Sequence, residues 1–154
     1  EEAAAAMADA GAEVSTVSVP MVRHALPAYY VIASGEASSN LAKFDGLRYG
    51  MRAETGGGGS EADGARLHES IIATRTQGFG SEVQRRILCG TFVLSASAYH
   101  DYYEQALRVR AQLRRDFAEV FEGVDVLLTP TAPAPPFLLR APPPAAEMYA
   151  NDIM

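Results

Sequence analysis

The stretch YYVIASGEASSNLAKFDGLRYGMR, residues 29–52, decides how the chain is interpreted. Its first part has an apolar and a polar face at helical spacing, and its last part is a glycine-containing turn. The pattern predicts a helix over residues 27–42, with Pro27 in the first helical turn, where a missing N–H costs little. A stiff loop over residues 44–50 is predicted to follow.

The segments on either side predict an α/β fold. Residues 1–10 are typical of an alanine-rich helix that ends at Gly11. Alternation of apolar and polar residues predicts a strand over 13–19, and a short apolar run predicts a buried strand over 124–129. Further helices are predicted at 66–77, from Ser81 onward, and up to Glu122. The order helix, strand, helices, strand is typical of α/β proteins.

The helix that begins near Ser81 carries two local signals. The sequence Ser-Glu-Val-Gln at residues 81–84 predicts a capping box, in which Ser81 caps the amide of Gln84. The helix that follows carries Val83, Ile87, Thr91 and Leu94 at helical spacing.

Two segments are predicted to lie outside the regular elements. Residues 53–65 are rich in glycine and are predicted to be a flexible insertion, and residues 134–144 are predicted to be a proline-rich loop. Because the helix at residues 1–10 lacks an N-terminal cap and an apolar segment is beginning at Asn151, we expect the chain to be a fragment of a longer protein.

Composition excludes several classes of function. A net charge of −6 argues against nucleic-acid binding by this segment, since phosphate contacts need clustered basic residues. The single cysteine, Cys89, excludes an internal disulfide and a multi-thiolate zinc site, and the three histidines are isolated in sequence, so no metal site is predicted. No apolar run reaches the ~20 residues of a membrane span, and no targeting peptide is evident.

A few polar residues are candidates for chemistry. Arg86 lies near the start of a helix, where its charge opposes the helix dipole, so it is expected to have an anionic partner: an acidic side chain or a ligand. Taken alone, Asp152 is compatible with a helix cap or with a solvent-facing acid. Tyr29 taken alone is compatible with a core aromatic residue. Ser39 and Lys43 share a helix face, but no oxyanion hole accompanies them, which favours a polar surface.

Five stretches together resemble the A-subunit family of glutamyl-tRNA(Gln) amidotransferases, which belongs to the amidase signature family. They are YYVIASGEASSNLAKFDGLRYG at 29–50, TQGFGSEVQRRILCGTFVLSA at 76–96, YHDYYEQALRVR at 99–110, FAEVFEGVDVLLTPTAP at 117–133 and MYANDI at 148–153. The resemblance implies that residues 1–154 are a partial amidase domain, part of an α/β/α sandwich with a mixed central sheet that is incomplete here.

The resemblance also implies site residues. The family's catalytic Ser-Ser-Lys residues lie in a Gly/Ser-rich signature that this sequence lacks, so no catalytic residue is expected in this chain and the triad is expected upstream. Matching the motifs residue by residue implies a glutamine site with Tyr29, Arg86 and Asp152. A guanidinium suits the α-carboxylate of a free amino acid, and a carboxylate suits its ammonium group. Motif matching favours Arg86 over Arg85, although both remain candidates.

The function implied is the glutamine-binding part of a subunit that supplies ammonia for converting Glu-tRNA(Gln) to Gln-tRNA(Gln). B and C type subunits would be its partners, and Glu-tRNA(Gln) would be bound through the partner subunit. No cofactor is expected to bind this segment directly, ATP and Mg²⁺ are expected in the full complex, and the fragment alone is expected to be inactive. The alternatives are another amidase signature hydrolase of a small amide, and a non-catalytic remnant.

The expected location follows from the same resemblance. It is a mitochondrion or chloroplast stroma if the source is eukaryotic, with the insertion favouring an organelle copy, and the cytoplasm if the source is bacterial. No membrane association is expected.

Overall fold

The computed structural model describes residues 1–54 and 64–151, and every regular element in these two ranges is helical. The α-helices are α1 (Glu2–Asp9), α2 (Ala25–Asn40), α3 (Gly64–Gly78), α4 (Ser81–Val93), α5 (Gln105–Val120) and α6 (Ala145–Ala150). Two 3-10 helices, Pro20–His24 and Leu41–Lys43, precede and follow α2, and a π-helical segment, Tyr99–Glu104, leads into α5.

The chain forms two compact units. One consists of Glu1–Leu26 with Val109–Met154, and the other is Pro27–Arg108. The second unit contains α3, α4 and nearly all of α2. Whether all 154 residues form one partial domain stays a prediction.

The two predicted strands are wrong for the described structure. Residues 13–19 and residues 124–129 have no strand assignment, and the α/β/α sandwich with its mixed sheet is not seen in residues 1–54 and 64–151. A strand needs a neighbour that pairs with its backbone N–H and C=O groups. Alternation of apolar residues reports only which side chains suit a strand, and neither segment meets a pairing partner among the described residues.

The helical predictions are confirmed. Helix α1 ends in a Schellman motif: Gly11 has φ of 97°, and the amide of Ala12 donates to the carbonyl of Met7 at 3.0 Å. Helix α2 begins at Ala25, two residues before the predicted start. Pro27 therefore lies in its first turn, where no intrahelical hydrogen bond is lost.

The capping box predicted at residues 81–84 does not form. Gly80 is the N-cap of α4, so Ser81 is already helical and caps nothing. The side-chain amide of Gln84 instead donates to the carbonyl oxygens of Phe79 at 2.7 Å and Thr76 at 3.1 Å. These bonds connect the end of α3 to the beginning of α4, because they satisfy carbonyl groups that the end of a helix leaves without partners.

The loop after α2 is held by α3. Gly46 and Gly50 have φ of 79° and 81°, which favours glycine at both positions. Arg75 on α3 donates to the carbonyl oxygens of Leu41 at 2.9 Å and Phe44 at 3.2 Å. Residues 44–50 thus form the ordered loop that the sequence predicted.

The predicted insertion and the proline-rich loop differ in what is described. Residues 55–63 lie outside the described residues, whereas Ala53 is 4% exposed and its amide donates to Thr74 Oγ1 at 3.0 Å. The ordered chain therefore extends into the start of the predicted insertion. Residues 134–144 contain bends and turns and no helix or strand.

Small residues allow α2 and α4 to approach closely. Gly90 is buried, and a Cβ atom there would overlap the carbonyl oxygen of Ser34 and lie 2.6 Å from Ser38 Cβ. The hydroxyl groups of Ser38 and Thr91 hydrogen-bond at 3.1 Å beside this contact. Gly35 on α2 leaves room for a different element, since a Cβ there would lie 2.9 Å from the ring of Tyr103 in the π-helical segment.

We expect Gly90→Ala to lower the free energy of unfolding. Helix propensity alone would favour alanine by about 0.5–1 kcal/mol. Overpacking a tight contact costs about 1–3 kcal/mol, and here the obstacle is the backbone of α2, which cannot turn aside. Chemical denaturation followed by circular dichroism measures the difference. Gly78→Ala is the matched control, because Gly78 is also helical and a Cβ there would meet only the flexible side chain of Met51, at 3.5 Å. Equal or greater stability of Gly90→Ala would contradict the close approach of the two helices.

A second prediction concerns the loop. Asp45 Oδ1 accepts a hydrogen bond from the amide of Leu47 at 2.8 Å, and this bond lowers the pKa of the Asp45 carboxyl below its ordinary 3.8. A lowered folded-state pKa means that the carboxylate's stabilising effect is complete above the unfolded pKa and is lost as the pH falls through the folded value. An NMR titration of the Asp45 carboxyl carbon should therefore have a lower midpoint in the chain than in a peptide of residues 41–50. Identical midpoints would contradict the bond.

Candidate functional site

Two of the three residues that the resemblance assigns to a glutamine site lie together in the unit Pro27–Arg108. Tyr29 lies near the N-terminus of α2 and Arg86 lies in the second turn of α4. The two side chains lie close enough for Tyr29 to help raise the pKa of the Arg86 guanidinium. The third residue, Asp152, lies outside the described residues.

The helix pair explains why these side chains meet. The close contact between Ser34 and Gly90 lies one helical turn after Tyr30 on α2 and one turn after Arg86 on α4. Residues four positions apart on a helix share a face. The register that places Gly90 against Ser34 therefore also places Arg86 beside the two tyrosines.

An acidic residue holds the two consecutive arginines. Arg86 Nε donates to Glu82 Oε1 at 2.8 Å, and Arg85 Nη1 donates to Glu82 Oε2 at 2.6 Å. Glu82 precedes Arg86 by four residues, the favourable order for an ion pair on a helix. It also lies in the first turn of α4, where a negative charge interacts well with the helix dipole. The anionic partner expected for Arg86 is thus found on its own helix.

The aromatic side of the site is formed by Tyr29 and Tyr30. The guanidinium carbon of Arg86 lies 5.7 Å from the centroid of the Tyr30 ring, within the range of a cation–π interaction. The two tyrosine rings pack edge to face, with centroids 5.1 Å apart. Tyr29 is 50% exposed, so the tyrosine pair borders solvent. The core position with which Tyr29 is compatible on sequence alone is not what the structure has.

The surroundings keep Arg86 charged. The hydrogen bond to Glu82, and next the nearby side chain of Tyr29, raise the pKa of the Arg86 guanidinium above its already high ordinary value. The side chain of Arg86 is 28% exposed, whereas that of Arg85 is 52% exposed. Of the two candidate arginines, Arg86 lies in the more protected position, and its guanidinium lies beside Tyr29 and Tyr30.

This arrangement can bind an anion, and it offers no nucleophile. A planar guanidinium with several N–H donors beside exposed aromatic rings suits a carboxylate on a small organic molecule. Ser38 is hydrogen-bonded to Thr91, and Lys43 lies over the ring of Phe44, with its nitrogen 5.2 Å from the centroid. Neither contact resembles an activated serine–lysine pair.

Two further properties concern the described part of the chain as a whole. Residues 1–54 and 64–151 contain no group of three or more His, Cys, Asp or Glu side chains placed to hold a metal ion. In the same ranges, none of the helices has the length and apolarity that crossing a bilayer requires.

Sequence reasoning missed Glu82 and Tyr30. The position four residues before Arg86 was a usable signal for Glu82, because that spacing places an acid on the same helix face as the arginine. Tyr30 carried no such signal, since its contact with Arg86 depends on how α2 and α4 pack against each other.

Comparison with known proteins supplies the family. The profile of the family described as Amidase matches residues 1–154. The chain belongs to the amidase family. This membership confirms the family resemblance of the sequence and supports an α/β fold for the family domain as a whole, although the described residues of this chain are helical.

Curated members of the amidase family that resemble this chain share one name. The A subunit of glutamyl-tRNA(Gln) amidotransferase from Rhizorhabdus wittichii is 55% identical over 148 residues, which is 94% of this chain and 28% of the relative. The proteins of the same name from Cereibacter sphaeroides and Novosphingobium aromaticivorans are 52% and 49% identical over 96% and 99% of this chain.

These relatives also bear on size and source. The chain spans less than a third of their length, with shares of 28%, 29% and 30%. All three come from bacteria, so they give no support to the expectation of a mitochondrial or chloroplast location.

Proposed function

We propose that this chain forms the glutamine-binding part of the amidase subunit of a glutamyl-tRNA(Gln) amidotransferase. One observation carries the proposal: Arg86 lies beside Tyr29 and Tyr30, at the position that motif matching assigns to glutamine recognition. The shared name of relatives about half identical to this chain supports the same substrate.

Arg86 would bind the α-carboxylate of glutamine. The guanidinium and a carboxylate form two parallel charge-assisted hydrogen bonds, which fix the orientation of the ligand as well as its affinity. Tyr29 would line the same site through its exposed ring, and Asp152 would bind the α-ammonium group. Recognition of both charged groups distinguishes a free amino acid from a side-chain amide in a protein.

Hydrolysis of the amide would use residues outside this sequence. The chain has no Gly/Ser-rich signature, so a Ser-Ser-Lys triad would come from the remainder of the protein, and the 154 residues alone would be inactive. Attack of the serine on the side-chain amide of glutamine would break the C–N bond, form the acyl-enzyme and release ammonia toward the partner subunit, and water would then release glutamate from the acyl-enzyme. B and C type subunits would complete the complex.

The remaining steps would belong to the full complex, which would use ATP and Mg²⁺. A net charge of −6 suits a segment that leaves Glu-tRNA(Gln) to a partner. The bacterial relatives favour the cytoplasm as the place of action.

A hydrolase of small neutral amides is the alternative within the same family. Such an enzyme has no need to bind a carboxylate and an ammonium group at once. A charged Arg86 on the border of an aromatic pair therefore favours the amidotransferase, and so does the name shared by the relatives.

Substitution of Arg86 tests the proposal in a complete enzyme. In a chimera, residues 1–154 replace the matching segment of the Rhizorhabdus wittichii relative, and the product is assembled with the other subunits of that enzyme. We expect Arg86→Ala to raise the KM for glutamine about ten- to a hundredfold, because hydrogen bonds to charged groups contribute about 1.5–3 kcal/mol. Amidation with free ammonia should be unchanged, since ammonia bypasses the glutamine site.

Arg108→Ala is the matched control. It removes the same charge and an ion pair with an acid four residues earlier, Glu104, and its KM for glutamine should stay within about threefold of the parent. Equal losses with glutamine and ammonia in Arg86→Ala would overturn the assignment. A large effect of Arg85→Ala with none of Arg86→Ala would transfer the role to Arg85.

A further inference from the structure

We propose that Glu82 is a positioning residue of the glutamine site, which acts by holding the guanidinium of Arg86 in the orientation that binds the substrate carboxylate. This inference rests on the proposed function of Arg86. It adds a residue that contacts the arginine and not the substrate.

The hydrogen bond to Glu82 does not use the Nη1–Nη2 edge of the Arg86 guanidinium. Glu82 accepts from Nε at 2.8 Å. A carboxylate that approaches a guanidinium end-on bonds to Nη1 and Nη2, which is not the edge that the Glu82 bond uses. The same side chain can therefore be fixed by Glu82 and still present two donors to a ligand.

Neighbouring side chains restrain the guanidinium. Glu82 accepts a hydrogen bond from Nε at 2.8 Å, the ring of Tyr30 lies 5.7 Å from the guanidinium carbon, and Tyr29 lies close enough to raise the pKa of the group. An arginine side chain has several rotatable bonds, and a free one samples many orientations. Fixing it before the ligand arrives removes part of the ordering cost of binding.

Arg85 keeps Glu82 in place. The second carboxylate oxygen accepts from Arg85 Nη1 at 2.6 Å, so each oxygen of Glu82 faces one arginine. A carboxylate anchored at both oxygens is less able to rotate toward the Nη1–Nη2 edge, where it would compete with the substrate. This division also gives Arg85 a role that does not involve the substrate.

Electrostatic repulsion between Glu82 and the incoming carboxylate would weaken binding of glutamine. The exposure of the Glu82 side chain decides whether this repulsion outweighs the positioning of Arg86. The side chain of Glu82 is 44% exposed, so solvent screens its field at the distance of the ligand. The short hydrogen bond to Nε is a direct contact and is screened much less. We therefore expect the positioning effect to exceed the repulsion.

Glu82→Gln in the chimeric enzyme tests this inference. The substitution keeps the size of the side chain, removes its charge, and places an amide nitrogen where one arginine requires an acceptor. We expect the KM for glutamine to rise about five- to thirtyfold, with kcat and the ammonia-dependent rate within about twofold, since a charge-assisted bond is lost without loss of the substrate contact. A fall in the KM would show that Glu82 competes with the substrate and would overturn the proposal.

A double-mutant cycle separates positioning from general structural support. In an Arg86→Ala background, Glu82→Gln should have no further effect on the KM, because the residue through which Glu82 acts is gone. Independent effects that multiply would contradict the proposal. The thermal midpoint of each variant is recorded alongside, and a loss of activity that follows the midpoint would contradict it as well.

Glu104→Gln is the control for removal of a paired surface acid. Glu104 bonds to His100 at 3.1 Å and to Arg108 at 3.5 Å, so it resembles Glu82 in its ion pairs and differs in lying away from Arg86 in sequence and contacts. Its KM for glutamine should match the parent. If Arg86→Ala raises the KM and Glu82→Gln does not, the positioning role fails and the proposed function stands. If Arg86→Ala has no effect, the positioning role fails together with the assignment of the carboxylate to Arg86.

Discussion

The close approach of α2 and α4 is the constraint on which the candidate site depends. Gly90 lies so near the backbone of Ser34 that no other residue fits without movement of a helix. This contact sets the register of the pair, and Tyr30 and Arg86 lie one turn along each helix from it. Two residues that are far apart in sequence become neighbours because a glycine permits the helices to pack. The candidate site residues Tyr30 and Arg86 therefore depend on the same helix contact as Gly90.

The ion pairs of Glu82 contribute more to the orientation of the Arg86 side chain than to the stability of the fold. Exposed ion pairs contribute about 0.2–1 kcal/mol to folding, and Glu82 and Arg85 are both substantially exposed. A carboxylate that holds one guanidinium on each oxygen is nevertheless a strong geometric restraint. The site thus resembles other binding sites in which neighbouring side chains restrict the one that contacts the ligand.

Helices and loops were predictable from local sequence, and contacts between elements were not. Gly11, Pro27 and the glycines of residues 44–50 act on their own backbone, so their roles followed from pattern alone. The strands at 13–19 and 124–129 failed because a strand depends on a partner. The packed face of α4 was not evident from helical spacing for a related reason: Thr91 and Leu94 are exposed, whereas Gly90 and Val93 are buried. A search for large apolar residues overlooks a face whose packing depends on the absence of a side chain.

Tyr29, Arg86 and Asp152 were assigned through family motifs and their roles stay predictions, whereas Glu82 was found only through the structure. The central claim is that Arg86 binds the α-carboxylate of glutamine, and the KM values of glutamine and glutaminol as ammonia donors for the chimeric enzyme test it most directly. Glutaminol carries a hydroxymethyl group in place of the carboxylate. The parent should prefer glutamine by about ten- to a hundredfold, and Arg86→Ala should have about equal KM values for both. The same preference in both proteins would show that the carboxylate is bound elsewhere and would contradict the account.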